Sequence, residues 1–385
     1  MPPRKRPEAQ LELLVSSADP ARAAAIAALT HAQRDAAIVA ELVGWFDRVA
    51  RDLPWRRRRD PYAVWLSEIM LQQTRVETVI PYFERFLLRF PDVTALAGAE
   101  IDEVLKMWSG LGYYRRARVL YATAREVTER YGGVFPGEAA TLRALPGVGA
   151  YTAGAIASLA FNKREPLVDG NVARVFARLF GIEEEIRSAS ATKRLWKIAA
   201  RLVPEDRPGR FNESLMELGA TVCTPRDPRC GACPLEALCS ARAAGSVASL
   251  PLIEAKKKVP VVKMVAAVLR SGRLVLLARR EEGGLFGGLW EPPMVEAASI
   301  EASRSLLGAV GVDEDIALRE AGKVKHVLSH KELRVAVATG TIPGKTKAPT
   351  KLGAPYEKAA WLDPDAADIG ISTLARKVLA AAGEA

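Results

Sequence analysis

Histidine is scarce in this chain. Its 385 residues include only His31, His326 and His330, too few and too scattered for a histidine-based triad or a multi-histidine metal site. Cysteine is as rare: there are four, all between Cys223 and Cys239. No apolar run approaches the roughly 20 residues of a membrane span. The opening MPPRKRPEAQ lacks the hydrophobic core of a secretory signal. We therefore expect a cytoplasmic protein (nucleoid-associated if bacterial) that works without a membrane partner. An acidic excess is also missing. Fifty-five Lys and Arg against 45 Asp and Glu leave a formal charge of +10, which favours a polyanionic partner. There is no internal repeat. What is plentiful is apolar sequence: at 49% hydrophobic, the chain can bury a large core and is expected to form two domains.

Periodicity divides the chain. Residues 1–35 are rich in Ala, Pro and Arg and read as a tail or peripheral helix. From 36 to 242 the apolar spacing is helical, broken by Gly and Pro. Asp60 and Pro61 suit the N-cap and first position of a helix running to about Gln73. Thr74-x-x-Glu77 predicts a capping box opening the next helix, with Pro81 bending it. Residues 243–259, with their Lys run, read as a linker. Beyond it the period becomes two. Segments 261–270 and 273–280 flank Ser271-Gly272 as a hairpin. Further strands are expected near 322–328, 333–342 and 357–362, and helices near 299–308 and 372–382. The fold class is thus mainly α, followed by a smaller α+β domain at 260–385.

The four cysteines, Cys223, Cys230, Cys233 and Cys239, follow C-x6-C-x2-C-x5-C. Thiolates this close suggest one metal centre rather than structural disulfides in so long an intracellular chain. The compact, uneven spacing favours a [4Fe–4S] cluster. Zinc stays open as the alternative, although its sites usually pair two C-x2-C knuckles.

Three further segments carry chemistry. In LRALPGVGAYTAGAIASLAF, a helix, a tight turn and a second helix leave the N–H groups after Gly147 and Gly149 open to a partner. On a basic chain a DNA phosphate suits that helix start, though an ordinary helical corner would look the same. In PLVDGNVARVFARLFG, Asp169 precedes an apolar helix. It is an expected N-cap, and the helix start should stabilise its anion beside a developing cation. In YAVWLSEIMLQQT, helical spacing puts Glu68 on a face with Trp65 and Gln72, between Leu66, Ile69 and Met70. There it is either a rim residue or a desolvated acid. One carboxyl group in an apolar setting and one at a helix start are what acid-assisted glycosidic cleavage requires.

Taken in order, LPWR (53–56), PYAVWLSEIMLQQTRVETVIPYF (61–83), GLGYYRRAR (110–118), LPGVGAYTAGAI (145–156), VDGNVARV (168–175), FNESLMELGA (211–220) and the cysteines resemble the helix-hairpin-helix DNA glycosylases with an iron–sulfur loop. Among these, the chain resembles the adenine DNA glycosylase family. The endonuclease III family is similar but has a Schiff-base lysine two residues after the hairpin's last glycine. Here that position is Tyr151, so lyase chemistry is not expected. The resemblance implies a monofunctional enzyme, expected to act as a monomer, that removes adenine mispaired with 8-oxoguanine or guanine in double-stranded DNA. It implies Glu68 as general acid at adenine N7, Asp169 at the oxocarbenium-like sugar, and Tyr151 and Asn171 in support. Arg51, Leu53, Trp55 and Glu213 match the adenine pocket. Gln73 and Tyr113 match the residues wedged into the stack. Cys223, Cys230, Cys233 and Cys239 match the cluster ligands.

The C-terminal region resembles the family's Nudix-like 8-oxoguanine recognition domain, entered by LFGGLWEPP (285–293). The following EAASIEASRSLLGAVGV lacks an REx2EE box, so pyrophosphohydrolase activity is not expected. The family's H-x-F-S-H loop reads His326-Val327-Leu328-Ser329-His330 here. Ser329 and His330 keep the hydrogen-bonding groups, while leucine replaces phenylalanine.

Overall fold

The structure is a computed structural model that describes residues 28–254, 259–299, 307–308, 312, 316–342, 352–366 and 369–383. The described residues form two compact units that are discontinuous in sequence. One joins those up to Gln73 with those from Glu126 to 254. The other joins Thr74–Arg125 with those from Val259 onward.

The first unit is helical. Helix α1 (His31–Val49) opens on Thr30, whose hydroxyl accepts from the Gln33 N–H while the Gln33 side chain accepts from the Thr30 N–H. This capping box was not foreseen, and it places the end of the expected N-terminal tail inside a helix. The earlier residues of that tail, up to 27, lie outside the described residues. After the short α2 (Pro54–Arg57), helix α3 (Pro61–Leu71) starts as expected, with Asp60 accepting from the Ala63 N–H. Every residue of α3 from Tyr62 to Met70 is buried, Glu68 included. No polar face is left, so α3 is a core helix rather than an amphipathic surface one.

In the second unit, α4 (Val76–Arg89), α5 (Val93–Ala97), α6 (Ile101–Met107) and the start of α7 (Arg115–Tyr131) belong with the C-terminal region. The capping box expected at Thr74 is absent. Helix α4 begins one residue later, after Arg75, without a side-chain cap, and the Thr74 hydroxyl instead accepts from Arg116 at 3.1 Å. Pro81 does lie within α4. The first unit resumes with α8 (Ala139–Leu142), α9 (Ala150–Leu159), α10 (Gly170–Leu179), α11 (Ala189–Leu202), α12 (Pro208–Thr221) and α13 (Ser240–Ala243). Its core joins Phe46 of α1 to Val172 and Phe176 of α10 and to Phe211 and Leu215 of α12, and three of the four cysteines pack against it.

The C-terminal sheet contains β1 (Val261–Ser271), β2 (Leu274–Arg280), β3 (Trp290–Glu291), β4 (Met294–Glu296), β5 (Arg319–Val327), β6 (Glu332–Thr341) and β7 (Tyr356–Leu362). Its order is β3-β2-β1-β6-β5, with β4 against β1 and β7 against β2. Among the pairings of these described strands with one another, only β1–β6 is parallel. Ser271 pairs with Leu274, so the hairpin turn is Gly272-Arg273, one residue later than expected. Two short strands, β3 and β4, were missed because neither is long enough to show a period. Alternate residues of β1 and β2 serve two cores: Ala266, Val268, Val275 and Leu277 face that of α14 (Thr373–Gly383), and Ala267, Leu269, Leu276 and Ala278 the other. The helix expected near 299–308 lies outside the described residues except for 307–308.

Candidate active site and cysteine centre

Helix α9 packs against α3, and α12 packs against α9 and α10. These contacts bring Glu68, Tyr151, Asp169 and Asn171 together. The approach is close. A Cβ at Gly219 of α12 would lie 2.6 Å from the Asn171 Cβ, so only glycine lets α12 seat against the start of α10.

Glu68 is 4% exposed. The Tyr151 hydroxyl donates to its Oε2 at 2.5 Å. Burial dominates its titration and pushes the carboxyl up to about 7, with Asp169 and Glu213 adding to the rise. The Tyr151 hydrogen bond and the Arg56 charge act in the opposite direction. At neutral pH the group therefore holds a proton part of the time, as a general acid must. Burial and the carboxylates of Glu68 and Asp169 push the Tyr151 phenol well above its ordinary value, which keeps it a donor.

Asp169 caps α10, accepting from the Val172 N–H at 2.7 Å and from the Asn171 amide at 3.0 Å. Capping alone should hold its pKa down. The net direction is upward, because burial outweighs those hydrogen bonds. Two residues absent from the expected set complete the surroundings. Arg174 donates to the Asn171 Oδ1 at 2.9 Å, the Gly219 carbonyl at 2.8 Å and the Cys223 carbonyl at 2.7 Å. Glu217 receives Arg51 and Arg56. Their sequence signal was weak: Arg174 lies in VDGNVARV and Glu217 one helical turn after Glu213, but apolar periodicity does not single out polar partners.

The remaining candidates occupy varied settings. Leu53 and Trp55 are buried around α2. Glu213, also buried, pairs with Arg59 at 2.9 Å and lies 3.5 Å from Arg56. Gly147 adopts φ +66 in the turn before α9, and a Cβ at Gly149, the cap of α9, would meet nothing within 4 Å. Gln73, exposed at the end of α3, has φ +57. Tyr113, in the second unit, is 46% exposed with φ +49. Non-glycine residues in this region are strained and concentrate at functional sites. Ser329 and His330 are exposed in the β5–β6 turn.

All four cysteines line one cavity, together with Arg178 and Arg229. None of them is in a disulfide, and burial pushes the Cys233 thiol up to about 12. Among the described residues no three His, Cys, Asp or Glu side chains are arranged to hold a single metal ion. Four thiols around one cavity are a donor set that either a zinc ion or an iron–sulfur cluster takes. Arg178 is 2% exposed, donates to the Thr224 carbonyl at 2.7 Å and reaches the Cys223 sulfur at 3.4 Å. No carboxylate pairs with it among the described residues. A buried cation of this kind calls for negative charge nearby, and a tetrathiolate cluster would provide it.

Residues 66–201 match the HhH-GPD superfamily of base excision DNA repair proteins, and residues 264–381 match the NUDIX domain. The chain is therefore a helix-hairpin-helix base excision repair protein carrying a Nudix-like domain. Human adenine DNA glycosylase is 39% identical over 384 residues, covering 83% of this chain and 70% of the relative. The rat adenine DNA glycosylase is 38% identical over 398 residues, covering 88% and 76%. A thermostable thymine-DNA glycosylase matches in structure with a TM-score of 0.51 at 32% identity, over 55% of this chain and 98% of that one. This chain belongs to the adenine DNA glycosylase family, enzymes of base excision repair that hydrolyse N-glycosidic bonds. No helix among its described residues is long and apolar enough to cross a membrane.

Proposed function

We propose that this chain removes adenine mispaired with 8-oxoguanine or guanine in duplex DNA, leaving an abasic site in an unbroken strand. The observation that carries the reading is Glu68: a buried carboxyl group, held by Tyr151 and pushed up to about 7, beside Asp169. Adenine must first leave the base stack, at a cost of a few kcal/mol. Glu68 then protonates adenine N7 and turns the base into a leaving group. Asp169, oriented by Asn171 and the start of α10, stabilises the oxocarbenium-like sugar, and Glu68 assists the attacking water. Arg51, Leu53, Trp55 and Glu213 receive the base, and Gln73 and Tyr113 act around the opposite one. The amides after Gly147 and Gly149 take a backbone phosphate. Ser329 and His330 read the oxidised guanine within a recognition domain at 260–385.

Cys223, Cys230, Cys233 and Cys239 hold a [4Fe–4S] cluster, supported by the cavity they share and by the buried charge of Arg178. Bound there, the group would tie the cysteine loop together, and exposed Arg226 and Arg229 of that loop would meet phosphate.

One assay tests the reading. Purified protein is incubated with duplexes carrying adenine opposite 8-oxoguanine, adenine opposite guanine, and thymine opposite guanine. Product is scored before and after alkali. We expect cutting only after alkali, only at adenine, and no borohydride-trapped adduct. Nicking without alkali or excision of thymine would refute it. Iron analysis should give about four atoms per chain, as a tetranuclear cluster requires, and about one zinc instead would refute the cluster.

A further inference from the structure

Glu217 is 1% exposed on α12 and accepts three charge-assisted hydrogen bonds from two arginines. Its Oε1 accepts from the Arg51 Nε at 2.6 Å. Its Oε2 accepts from the Arg51 Nη2 at 3.0 Å and the Arg56 Nη2 at 2.8 Å. Arg56 also donates to the Arg51 carbonyl at 3.0 Å, and its guanidinium lies over the Phe46 ring, 4.9 Å from the centroid. Burial pushes the Glu217 carboxyl up, and the two arginines more than reverse this, so its net direction is downward. It is an anion at neutral pH. Nothing in a helical core requires a carboxylate at this position, and a buried ion pair is a poor source of stability. Its geometry suits control of the two arginines.

We propose that Glu217 is a positioning residue for base excision: its carboxylate fixes the Arg51 guanidinium at the adenine pocket and offsets the charge of Arg56 close to Glu68. This rests on the reading of Glu68 as general acid and Arg51 as a pocket residue. A bidentate carboxylate sets both the plane and the direction of a guanidinium. The Arg51 side chain is 36% exposed while its carboxylate partner is 1% exposed, so the anchor is interior and the group it holds reaches toward the surface. The second role follows from the groups around Glu68. Tyr151 of α9 donates to it, Asp169 at the start of α10 and Glu213 of α12 oppose its ionisation, and Arg56 of α2 favours it. Arg56 is shared between Glu217 at 2.8 Å and Glu213 at 3.5 Å. With Glu217 neutral, more of the Arg56 charge acts on Glu68, favours its anion, and removes the general acid at lower pH.

The test is the pH dependence of single-turnover adenine excision in the full-length holoprotein. In Glu217→Gln the alkaline limb should move to lower pH. A movement of about one unit would lower the rate about tenfold on that limb and leave the acid side within about threefold. Glu217→Asp keeps the charge and loses reach, so its rate should fall with the limb unmoved. Arg56→Gln removes the cation and should move the limb to higher pH. Arg51→Lys should weaken discrimination between adenine and its amino-shifted analogues without moving the limb. A limb that stays in place in both Glu217→Gln and Arg56→Gln would overturn the proposal, as would movement of both in the same direction. If Glu217→Gln does not fold, the direction in Arg56→Gln decides alone. Full activity in Glu68→Gln would instead sink the general-acid reading, a separate failure.

Discussion

The two units handle polar side chains in opposite ways. In the first, Glu68, Glu213 and Glu217 are buried and wired to Tyr151 and to arginines before any DNA arrives. In the second, Ser329 and His330 sit exposed on a turn closed by the Leu328 N–H donating to the Lys331 carbonyl at 2.8 Å. The difference follows from the two tasks. Burial, helped by the neighbouring Asp169 and Glu213 carboxylates, is what raises the Glu68 carboxyl, so an acid of this kind is preformed and interior. On the proposed reading, Ser329 and His330 have to reach the duplex to find an altered base, and their exposure suits that task.

The largest effect is expected from Glu68→Gln. Loss of a general acid should lower single-turnover excision by about 10²–10⁴-fold, with duplex binding retained. The same change should stabilise the fold at alkaline pH. Native Glu68 keeps a proton between its ordinary 4.5 and about 7, while the unfolded chain releases it. Stability is therefore lost as pH rises through that window. At about 1.4 kcal/mol per pH unit, the gain in the variant above pH 7 is at most about 3 kcal/mol. Denaturant unfolding near pH 5 and pH 8.5 would show it. Equal stability of the two proteins at both values would mean that Glu68 is not desolvated in solution.

Asp169→Asn separates capping from chemistry. Asparagine caps about as well as aspartate, so unfolding should change by less than about 1 kcal/mol. Turnover should still fall by about two orders of magnitude, because an amide supplies no charge to the developing cation. Substantial turnover in the folded variant would remove Asp169 from the chemistry.

How much of this was legible in the sequence depended on the kind of signal. The α3 cap at Asp60, the α10 cap at Asp169 and the long strands of the C-terminal sheet were readable because caps and periodicity are local. Glu68 was ambiguous. Its helix is mostly apolar, but Ser67 and Gln72 lie beside it, and only the packing of α9 makes it a desolvated acid facing Tyr151. The partners Glu217 and Arg174 were not legible. Their side chains meet partners 45 or more positions away, apart from the local contacts of Arg174 with Gly170 and Asn171, and such pairing leaves no periodic trace. The association of Thr74–Arg125 with the C-terminal residues was equally hidden, since those helices look like their neighbours on either side.

That association changes how the recognition turn should be tested. Ser109 and Tyr114 donate to the Ile371 carbonyl at 2.8 and 3.1 Å, and Arg279 pairs with Asp102 at 3.2 Å. Deleting 260–385 would strip these partners from α6 and from the segment between α6 and α7 and should lower the melting temperature, confounding any loss of preference. Ser329→Ala with His330→Ala avoids the problem, because both side chains are exposed. The added oxygen and N7 proton of 8-oxoguanine offer few hydrogen bonds, each contributing about 1–3 kcal/mol. The double variant should lose about ten- to a hundredfold of any preference over guanine while excising at a near-normal rate. An undiminished preference would place lesion reading in the first unit.

The smallest effect is expected at Leu328, where the family's loop has phenylalanine. Along β5 and into the turn, residues alternate: Lys323, Lys325 and Val327 are exposed, while Val324, His326 and Leu328 are wholly or partly covered. Leu328 packs against the core shared by the sheet and α14, whereas its neighbour Val327 is 60% exposed. The Leu328 side chain thus belongs to the scaffold of the turn. In Leu328→Phe the larger ring must enter a space filled by leucine, and overpacking of this kind typically costs about 1–3 kcal/mol. Reduced stability with a lesion preference within about threefold is the expected result, since the proposed reading assigns the directed hydrogen bonds to Ser329 and His330, which keep their positions on the turn. Paired melting curves and competition binding on the two duplexes measure both quantities. A preference raised tenfold or more at unchanged stability would show that residue 328 touches the base, and that Leu328 leaves the duplex-facing surface short of an apolar contact.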